Sequence, residues 1–324
     1  MYQFCTYFDR NYLLRGLTLY RSLVNTGCPF NLHVLALDGE VARIIGQLEL
    51  PNLHSIPLTE LEQWAPALLT AKANRRLIEY YFTLTPQLPL FLFDRCPEIN
   101  LVTYLDADLF FYASPEPLFA ELGERSILIT PHRYPDHLKS HEVYGLFNVQ
   151  YQSFRRDAEG LACLRRWRDQ CLEWCYDRAE DGRYGDQKYL DEWPTLYSER
   201  LTILRHRGGG VAPWNWSSFP LVRGKEGVTV GGDPLIFYHF HGVKLFNPYF
   251  ISNGLLDWGV MPRPLLRWFY ADYLRQLRAT RNWLRRQLRV TLPMRDRIIR
   301  GQGVGVAAFG EILRKAWAQA TIAC

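Results

Sequence analysis

An α/β fold, built on a mainly parallel central sheet flanked by helices, follows from three features of the sequence. Strand-like and helix-like segments alternate through residues 2–56. The strand segments are near-continuous apolar runs, as strands covered on both faces require. Three of these strands are followed by a carboxylate, Asp9, Asp38 and Asp106, and ligands of such sheets gather at the strands' carboxyl ends.

Tyr2 to Phe8 reads as the first strand, ended by Asp9-Arg10-Asn11. From Tyr12 to Val24, Leu13, Leu14, Leu17, Leu19, Tyr20 and Leu23 recur at helical spacing, and Asn25 to Pro29 stops the helix. Asn31 to Leu37 is a second apolar strand closed by Asp38-Gly39; a helix over Glu40–Leu48 and a strand over Leu53–Ile56 follow. Consecutive units of this kind are right-handed and give parallel strands. Ala71 to Arg95 reads as two helices, with Thr85-Pro86 capping and opening the second. Lys72, Arg75 and Arg76 at its start are either a solvated face or a group within reach of a diphosphate.

Leu101 to Leu105 is a buried strand that turns and resumes over Leu109–Tyr112, with Asp106 and Asp108 on either side of Ala107. Ionised carboxylates at the end of a buried strand cost several kcal/mol unless something compensates them. Residues i and i+2 of a strand share a face, so both carboxylates can converge on one cation. Hard oxygen ligands with room left for phosphate oxygens suit Mg²⁺ or Mn²⁺. The plainer alternative is a surface turn in which Asp supplies hydrogen bonds.

Ser114-Pro115 opens a helix to Leu122, and Ser126–Thr130 and Tyr144–Tyr151 are further strands. Asn148 interrupts the second of these; a buried amide needs partners, either structural ones or a ligand in a cleft. Arg156 to Tyr176 is an amphipathic helix whose Leu161, Leu164, Trp167, Cys171, Trp174 and Cys175 read as core. Tyr184 to Leu190 is a loop entering a helix, where Asp186 and Gln187 offer a carboxylate beside an amide; an Asp N-cap is the simpler role. Short strands over Thr202–Arg205 and Val228–Val230 flank a loop, Gly208–Trp216. Leu235 to Lys244 is the last informative strand. Its Phe237, His239 and His241 share one face, and the two histidines followed by Gly242 and Lys244 make a polar tip suited to metal plus phosphate.

With 48% hydrophobic and 22% charged residues, the 324-residue chain is a soluble globular protein of one large or two ordinary domains. Its seven cysteines are scattered and form no Cys-x-x-Cys pair, which signals neither zinc nor a disulfide framework. No leader precedes the first strand and no apolar run approaches ~18 residues, so a cytoplasmic, reduced protein is expected. The charge is uneven: residues 260–324 carry 13 Lys/Arg against 3 Asp/Glu, leaving 25 against 30 in residues 1–259. Those two stretches are the expected divisions, a catalytic body and a basic C-terminal helical extension. In the extension, Leu265, Trp268, Phe269, Tyr273, Leu277, Trp283 and Leu288 alternate with arginines. The pattern is that of a helix lying on an anionic membrane surface, here the inner face; packing on the body and dimerisation are the other options. Residues 301–308 read as a flexible connector to a final short helix. Nucleic acid is not an expected partner, because no binding module accompanies the basic run.

Thr103-Tyr-Leu-Asp-Ala-Asp-Leu109 resembles the Asp-x-Asp strand of GT-A-fold nucleotide-sugar glycosyltransferases, in particular glycosyltransferase family 8, the glycogenin and lipopolysaccharide-galactosyltransferase type. Further matches follow in order: Phe147-Asn148 with that family's Phe-Asn-x-Gly, Gly185-Asp186-Gln187 with its Asp-Gln turn, Pro213-Trp214-Asn215 with its Pro-x-Asn loop, and His239 to Lys244 with its His-x-x-Gly-x-x-Lys close. Gln150 stands in place of the family's Gly, and the last Lys comes one residue early. The resemblance covers roughly residues 1–250. It implies that Asp106, Asp108 and His239 bind Mn²⁺ or Mg²⁺ bridging the donor's two phosphates, with Lys244 adding positive charge. It implies that Asp9 and Asn11 hold the nucleotide's base or ribose, and that Asn148, Asp186 and Gln187 line the sugar and acceptor side. The implied reaction moves a sugar from a nucleoside diphosphate, most simply UDP, to a glycan, lipid-linked or other hydroxyl acceptor, and a retaining outcome would put Asp186 or Gln187 near the reacting face. Two other classes stand beside this one. A haloacid-dehalogenase-type phosphohydrolase is disfavoured by Leu109-Phe110 after the second aspartate. A non-catalytic binder of sugar nucleotides or membranes keeps the same fold.

Overall fold

The computed structural model describes residues 1–225, 227–255 and 257–296, together with the backbone of 321–322. A seven-stranded sheet is formed by β1 (Tyr2–Phe8), β2 (Phe30–Ala36), β3 (Leu53–Pro57), β4 (Leu101–Leu105) and, after the short β5 (Leu109–Phe111), by β6 (Ile127–Pro131), β7 (Phe147–Arg155) and β8 (Leu201–Ile203). The order across the sheet is β3-β2-β1-β4-β7-β6-β8. The first four strands in that order are mutually parallel, β7 runs antiparallel to both its neighbours, and β8 is parallel to β6. The mainly parallel sheet is therefore present, with one antiparallel strand set into it.

The chain lays β2 and β3 to one side of β1 and β4 to the other. That reversal opens the crevice in which open α/β sheets bind ligands. Phe4 pairs with Thr103 and Cys5 with Tyr104, while Phe8 pairs with Ala36. Asp9 and Asp106 thus leave the sheet at adjacent strand ends.

Helices cover both faces: α1 (Leu13–Asn25), α2 (Gly39–Leu48), α3 (Leu58–Trp64), α4 (Ala67–Asn74), α5 (Leu77–Leu84), α6 (Gln87–Arg95), α7 (Glu116–Leu122) and α8 (Ala158–Glu173). Alternate side chains of one strand point to opposite faces, and the core divides accordingly. Phe4 and Val34 join α1 and α2 in one buried cluster. Cys5 and Leu35 join Leu61, Tyr80, Leu88 and Trp167 in the other. Gly16 lets α1 settle on the end of β1, because a Cβ there would lie 2.2 Å from the Phe8 ring.

Several expected elements shift. The stretch 71–95 breaks at Arg75–Arg76 as well as at Thr85–Pro86, giving three helices instead of two, because both arginines take extended backbone angles. The strand expected over 144–151 is displaced to Phe147–Arg155, since Asp136–Tyr144 closes into a 3₁₀ helix. A 3₁₀ turn, Lys188–Glu192, and the short α9 (Trp193–Leu196) follow the Asp186 loop. Strands β9 (Leu221–Gly224), β10 (Gly227–Val230) and β11 (Asp233–Pro234) form a small separate sheet. The strand expected over 235–244 is two, β12 (Phe237–His239) and β13 (Lys244–Asn247), separated by a turn in which Gly242 takes φ 73°. β14 (Phe250–Ser252) pairs with β13 and with β15 (Thr321–Ile322).

Helix α10 (Arg263–Leu266) continues through a π-turn, Arg267–Ala271, into α11 (Asp272–Leu288). The helix is as expected, but its apolar stripe is not available to a bilayer. Phe269, Tyr270, Tyr273, Leu274, Leu277 and Leu284 are buried in the same cluster as α1 and β1. Phe240 and Tyr273 stack 3.7 Å apart at 3°, and the Tyr238 and Tyr270 hydroxyls lie 2.9 Å apart. An amphipathic pattern records that one face needs cover; here the body supplies it. The connector and short helix expected after residue 300 lie outside the described residues. Among the described residues no helix is long and apolar enough to cross a membrane, and the six described cysteines are unpaired.

Candidate functional site

Asp106 follows the last residue of β4. Its N–H donates to Gln150 O (3.0 Å) and its carbonyl accepts the Leu109 N–H (3.2 Å), which makes 106–109 a tight turn. The two carboxylates therefore converge through this turn and not through strand alternation. After it, β5 leaves the central sheet and pairs antiparallel with β12, with Leu109 opposite His239. Phe240 N–H donates to Asp108 O (3.0 Å) and His239 N–H to Val211 O (2.8 Å). This pairing brings the imidazole to the aspartates: His239 Nε2 is 3.0 Å from Asp108 Oδ1 and 3.6 Å from Asp106 Oδ2.

Asp108 and His239 are buried and Asp106 is 22% exposed. Burial pushes the Asp106 carboxyl above its usual range; His239 draws it back and the Asp108 charge adds to the rise. Burial acts on Asp108 in the same direction, but the charge and hydrogen bond of His239 outweigh it and hold that carboxyl low. Burial alone would lower the His239 pKa, but Asp108 and then Asp106 raise it above the ordinary imidazole value. The ligating atoms of Asp106, Asp108 and His239 all lie within 4.8 Å of one another. Two hard oxygens and one imidazole fit a divalent ion.

The His239 Nδ1 is buried without a hydrogen-bond partner, so packing orients the ring: Trp214 meets it edge-on at 5.4 Å. Trp214 also contacts the exposed His241 ring, at 5.6 Å. Lys244 is exposed at the start of β13, two residues past the turn glycine.

Asp186 is 4% exposed, and the Trp167 indole donates to its carbonyl (2.7 Å). The following turn is N-capped by Gln187, so Asp186 does not serve as a cap. Its Oδ2 is buried without a partner. Burial pushes this carboxyl up to about 7, against the pull of the Thr85 hydroxyl and with help from the Asp106 charge. Asn148 and Gln187 meet directly, Nδ2 to Oε1 at 3.2 Å, and Asn148 Nδ2 also lies 3.2 Å from His132 Nε2. Asn148 Oδ1 accepts the Gln150 N–H (2.9 Å). The amide is thus structurally engaged and joined to the Asp186–Gln187 turn at once.

Asp9 accepts from Asn11 N–H (2.9 Å), Asn11 Nδ2 (2.8 Å) and Tyr12 N–H (3.2 Å), which ties the two strand-end residues into one loop. Asp38, at the neighbouring strand end, is a helix cap: it accepts from Glu40 and Val41 N–H at 3.0 and 3.1 Å. The basic cluster is likewise engaged elsewhere. Lys72 pairs with Glu62, Arg75 donates to Leu172 O, and Arg76 pairs with Glu79 and Asp177. No described contact brings Arg76 to the aspartates.

Sequence reasoning passed over Tyr104, whose hydroxyl donates to Asp106 Oδ1 at 3.0 Å. The signal was available, since Tyr104 lies two residues before Asp106 and shares its face. Thr85, expected as a helix cap, lies 3.1 Å from the Tyr7 hydroxyl while Pro86 takes the N-cap position, and Arg15 was passed over. The Thr85 site joins residues far apart in sequence, and no local pattern marks it.

No protein-family model matches the chain. It is 31% identical over 251 residues to the uncharacterized protein YfnF of Bacillus subtilis (strain 168), covering 75% of this chain and 82% of that one. To YfnD of the same organism it is 28% identical over 247 residues, 75% and 78% of the respective lengths. Among solved structures, the galactosyltransferase LgtC, in complex with donor and acceptor sugar analogues, aligns with a TM-score of 0.55 at 16% identity, over 88% of this chain and 100% of that one. The shared architecture is the GT-A fold.

Proposed function

The chain belongs to the same family as Bacillus subtilis YfnF and has the GT-A fold, and from that premise we propose that it is a metal-dependent glycosyltransferase. The observation that carries the reading is the Asp106–Asp108–His239 cluster at the sheet's reversal point, beside a buried carboxyl, Asp186. The donor is a sugar on a nucleoside diphosphate, with UDP favoured, and the acceptor offers a hydroxyl, most simply that of a glycan or lipid-linked sugar.

Asp106, Asp108 and His239 would hold Mn²⁺ or Mg²⁺. When bound, such an ion neutralises charge on the departing diphosphate as a Lewis acid. Tyr104 fixes one Asp106 oxygen, leaving the other to face the cluster. The Asp9–Asn11 loop binds the base or ribose at the strand ends. Lys244, exposed on the rim, adds positive charge for the phosphates. Across the crevice, the joined amides of Asn148 and Gln187 orient hydroxyls of the sugar and acceptor. Asp186 is dry and reluctant to ionise, so near neutral pH it can hold a proton or present a charge that strengthens on approach of a developing cation. With Gln187 it lies on the reacting face, and the transfer retains configuration.

The test is a thermal-shift panel of nucleotide sugars with and without Mn²⁺. A ligand at 100 times its Kd should add about 2.7 kcal/mol, only with metal, and Asp108→Ala should abolish both this shift and turnover. No response to any nucleotide sugar in the presence of Mn²⁺ would overturn the proposal. Tight binding without transfer or hydrolysis would assign the chain to non-catalytic recognition.

A further inference from the structure

We propose that the buried Arg15 and the partly exposed Asp296 form a clamp that positions the donor-binding loop Asp9–Asn11 against the His239–Lys244 tip; this rests on the glycosyltransferase reading above. Arg15 stands in the first turn of α1 and is 1% exposed. One guanidinium nitrogen lies 3.1 Å from Asp296 Oδ1 and 3.4 Å from Asn11 O. The other lies 2.8 Å from Asp296 Oδ2 and 2.9 Å from Val243 O. The Tyr12 ring covers the group at 4.6 Å.

Each of these partners belongs to a segment that matters. Asn11 is the end of the loop that Asp9 ties together. Val243 lies in the turn between His241 and Lys244, with Gly242 at φ 73°. Asp296 adds a third attachment: its Oδ2 accepts the Leu245 N–H at 2.9 Å, and its own N–H donates to Leu245 O at 2.9 Å. The planar fork of an arginine, always charged, can hold a carboxylate and two carbonyls in fixed relative positions. A lysine could not. A guanidinium so deeply buried is tolerated only with its counter-charge, so Asp296 is what allows Arg15 to join the two loops. Small displacements between groups that bind one ligand carry large penalties. Neither Arg15 nor Asp296 is assigned a contact with the donor. They are positioning residues.

The neutral variant Asp296→Asn keeps an acceptor for Leu245 and removes the charge. Binding of the tightest of UDP, GDP, CDP and dTDP is measured with Mn²⁺ by calorimetry, and binding of Mn²⁺ alone by electron paramagnetic resonance. Asp296→Asn should weaken the nucleotide about tenfold, leave Mn²⁺ alone within about twofold, and be partly rescued in Asp296→Glu. Asp272→Asn, which breaks the surface pair with Arg275, should change neither. Where Asp296→Asn fails to fold, Arg15→Lys, which keeps the charge and loses the fork, is read by the same criteria. A folded variant that binds nucleotide like wild type, or one that loses Mn²⁺ in parallel, overturns the clamp. Wild-type protein that binds none of the four nucleotides overturns the functional reading, and the clamp with it.

Discussion

His239 Nε2 lies 3.0 Å from Asp108 Oδ1, a contact between a two-stranded ribbon and the turn that ends a central strand. The ribbon exists because β5 pairs with β12. Without metal, the His239 proton is stabilised by both aspartates, so its pKa is raised. A divalent ion must displace that proton. Mn²⁺ affinity should therefore rise with pH through and above the ordinary imidazole range near ~6.5, by no more than tenfold per pH unit. A flat affinity profile over that interval would show that His239 is not a ligand.

Tyr104→Phe removes the hydroxyl that donates to Asp106. That hydrogen bond holds the Asp106 pKa down against burial. A bond to a charged group is worth about 1.5–3 kcal/mol. The variant should bind Mn²⁺ roughly tenfold or more weakly, with an unchanged circular dichroism spectrum. Wild-type affinity in the variant would remove Tyr104 from the site.

Asp186 is pushed up to about 7 by burial, against roughly 3.9 in an unfolded chain. Between those values the unfolded chain loses its proton first, so the group's contribution is intact below the unfolded pKa. It is lost as pH rises through the folded one. The loss has a ceiling of about 4 kcal/mol. Asp186→Asn cannot ionise. In metal-free buffer its melting temperature should change less than that of wild type between pH 5 and 8, while transfer activity falls at least about 100-fold. Parallel melting curves across that range would refute the dry carboxyl.

Truncation after Gly259 removes Phe269, Tyr270, Tyr273, Leu274, Leu277 and Leu284 from the core. At about 1.5–3 kcal/mol each, the loss is comparable to the whole stability of a typical domain, about 5–15 kcal/mol. Residues 1–259 should not fold alone, as read by far-ultraviolet circular dichroism. A cooperatively melting 1–259 fragment would mean that the tail is an accessory.

The alternation of the first 56 residues carried most of the fold, because strands buried on both faces leave little choice of pattern. Asp106 and Asp108 were legible as a pair, yet the reason they converge is a turn bonded to Gln150, which spacing cannot show. His239 was one of two histidines on a strand; only its pairing with Leu109 separates it from His241. Asp38 and Arg76 show how the structure engages charged residues in other ways. Asp38 ends a strand but caps a helix, and Arg76, at the start of α5, is held in an ion-pair network. The tail's pattern was read correctly as amphipathic. What covers the apolar face is a long-range property, and here it is α1 together with Tyr238 and Phe240.

Arg15 and Asp296 are separated by 281 residues. Made at about 5–20 residues per second, that stretch takes roughly 14–56 seconds to leave the ribosome. Throughout that time α1 carries a permanent cation whose buried seat has no counter-charge. The first β-α unit can form its hydrogen bonds early, but it cannot dock in its final place. Synthesis order therefore delays fixing of the Asp9–Asn11 loop until Asp296 has emerged, and a chain interrupted before that point lacks the Arg15–Asp296 pair.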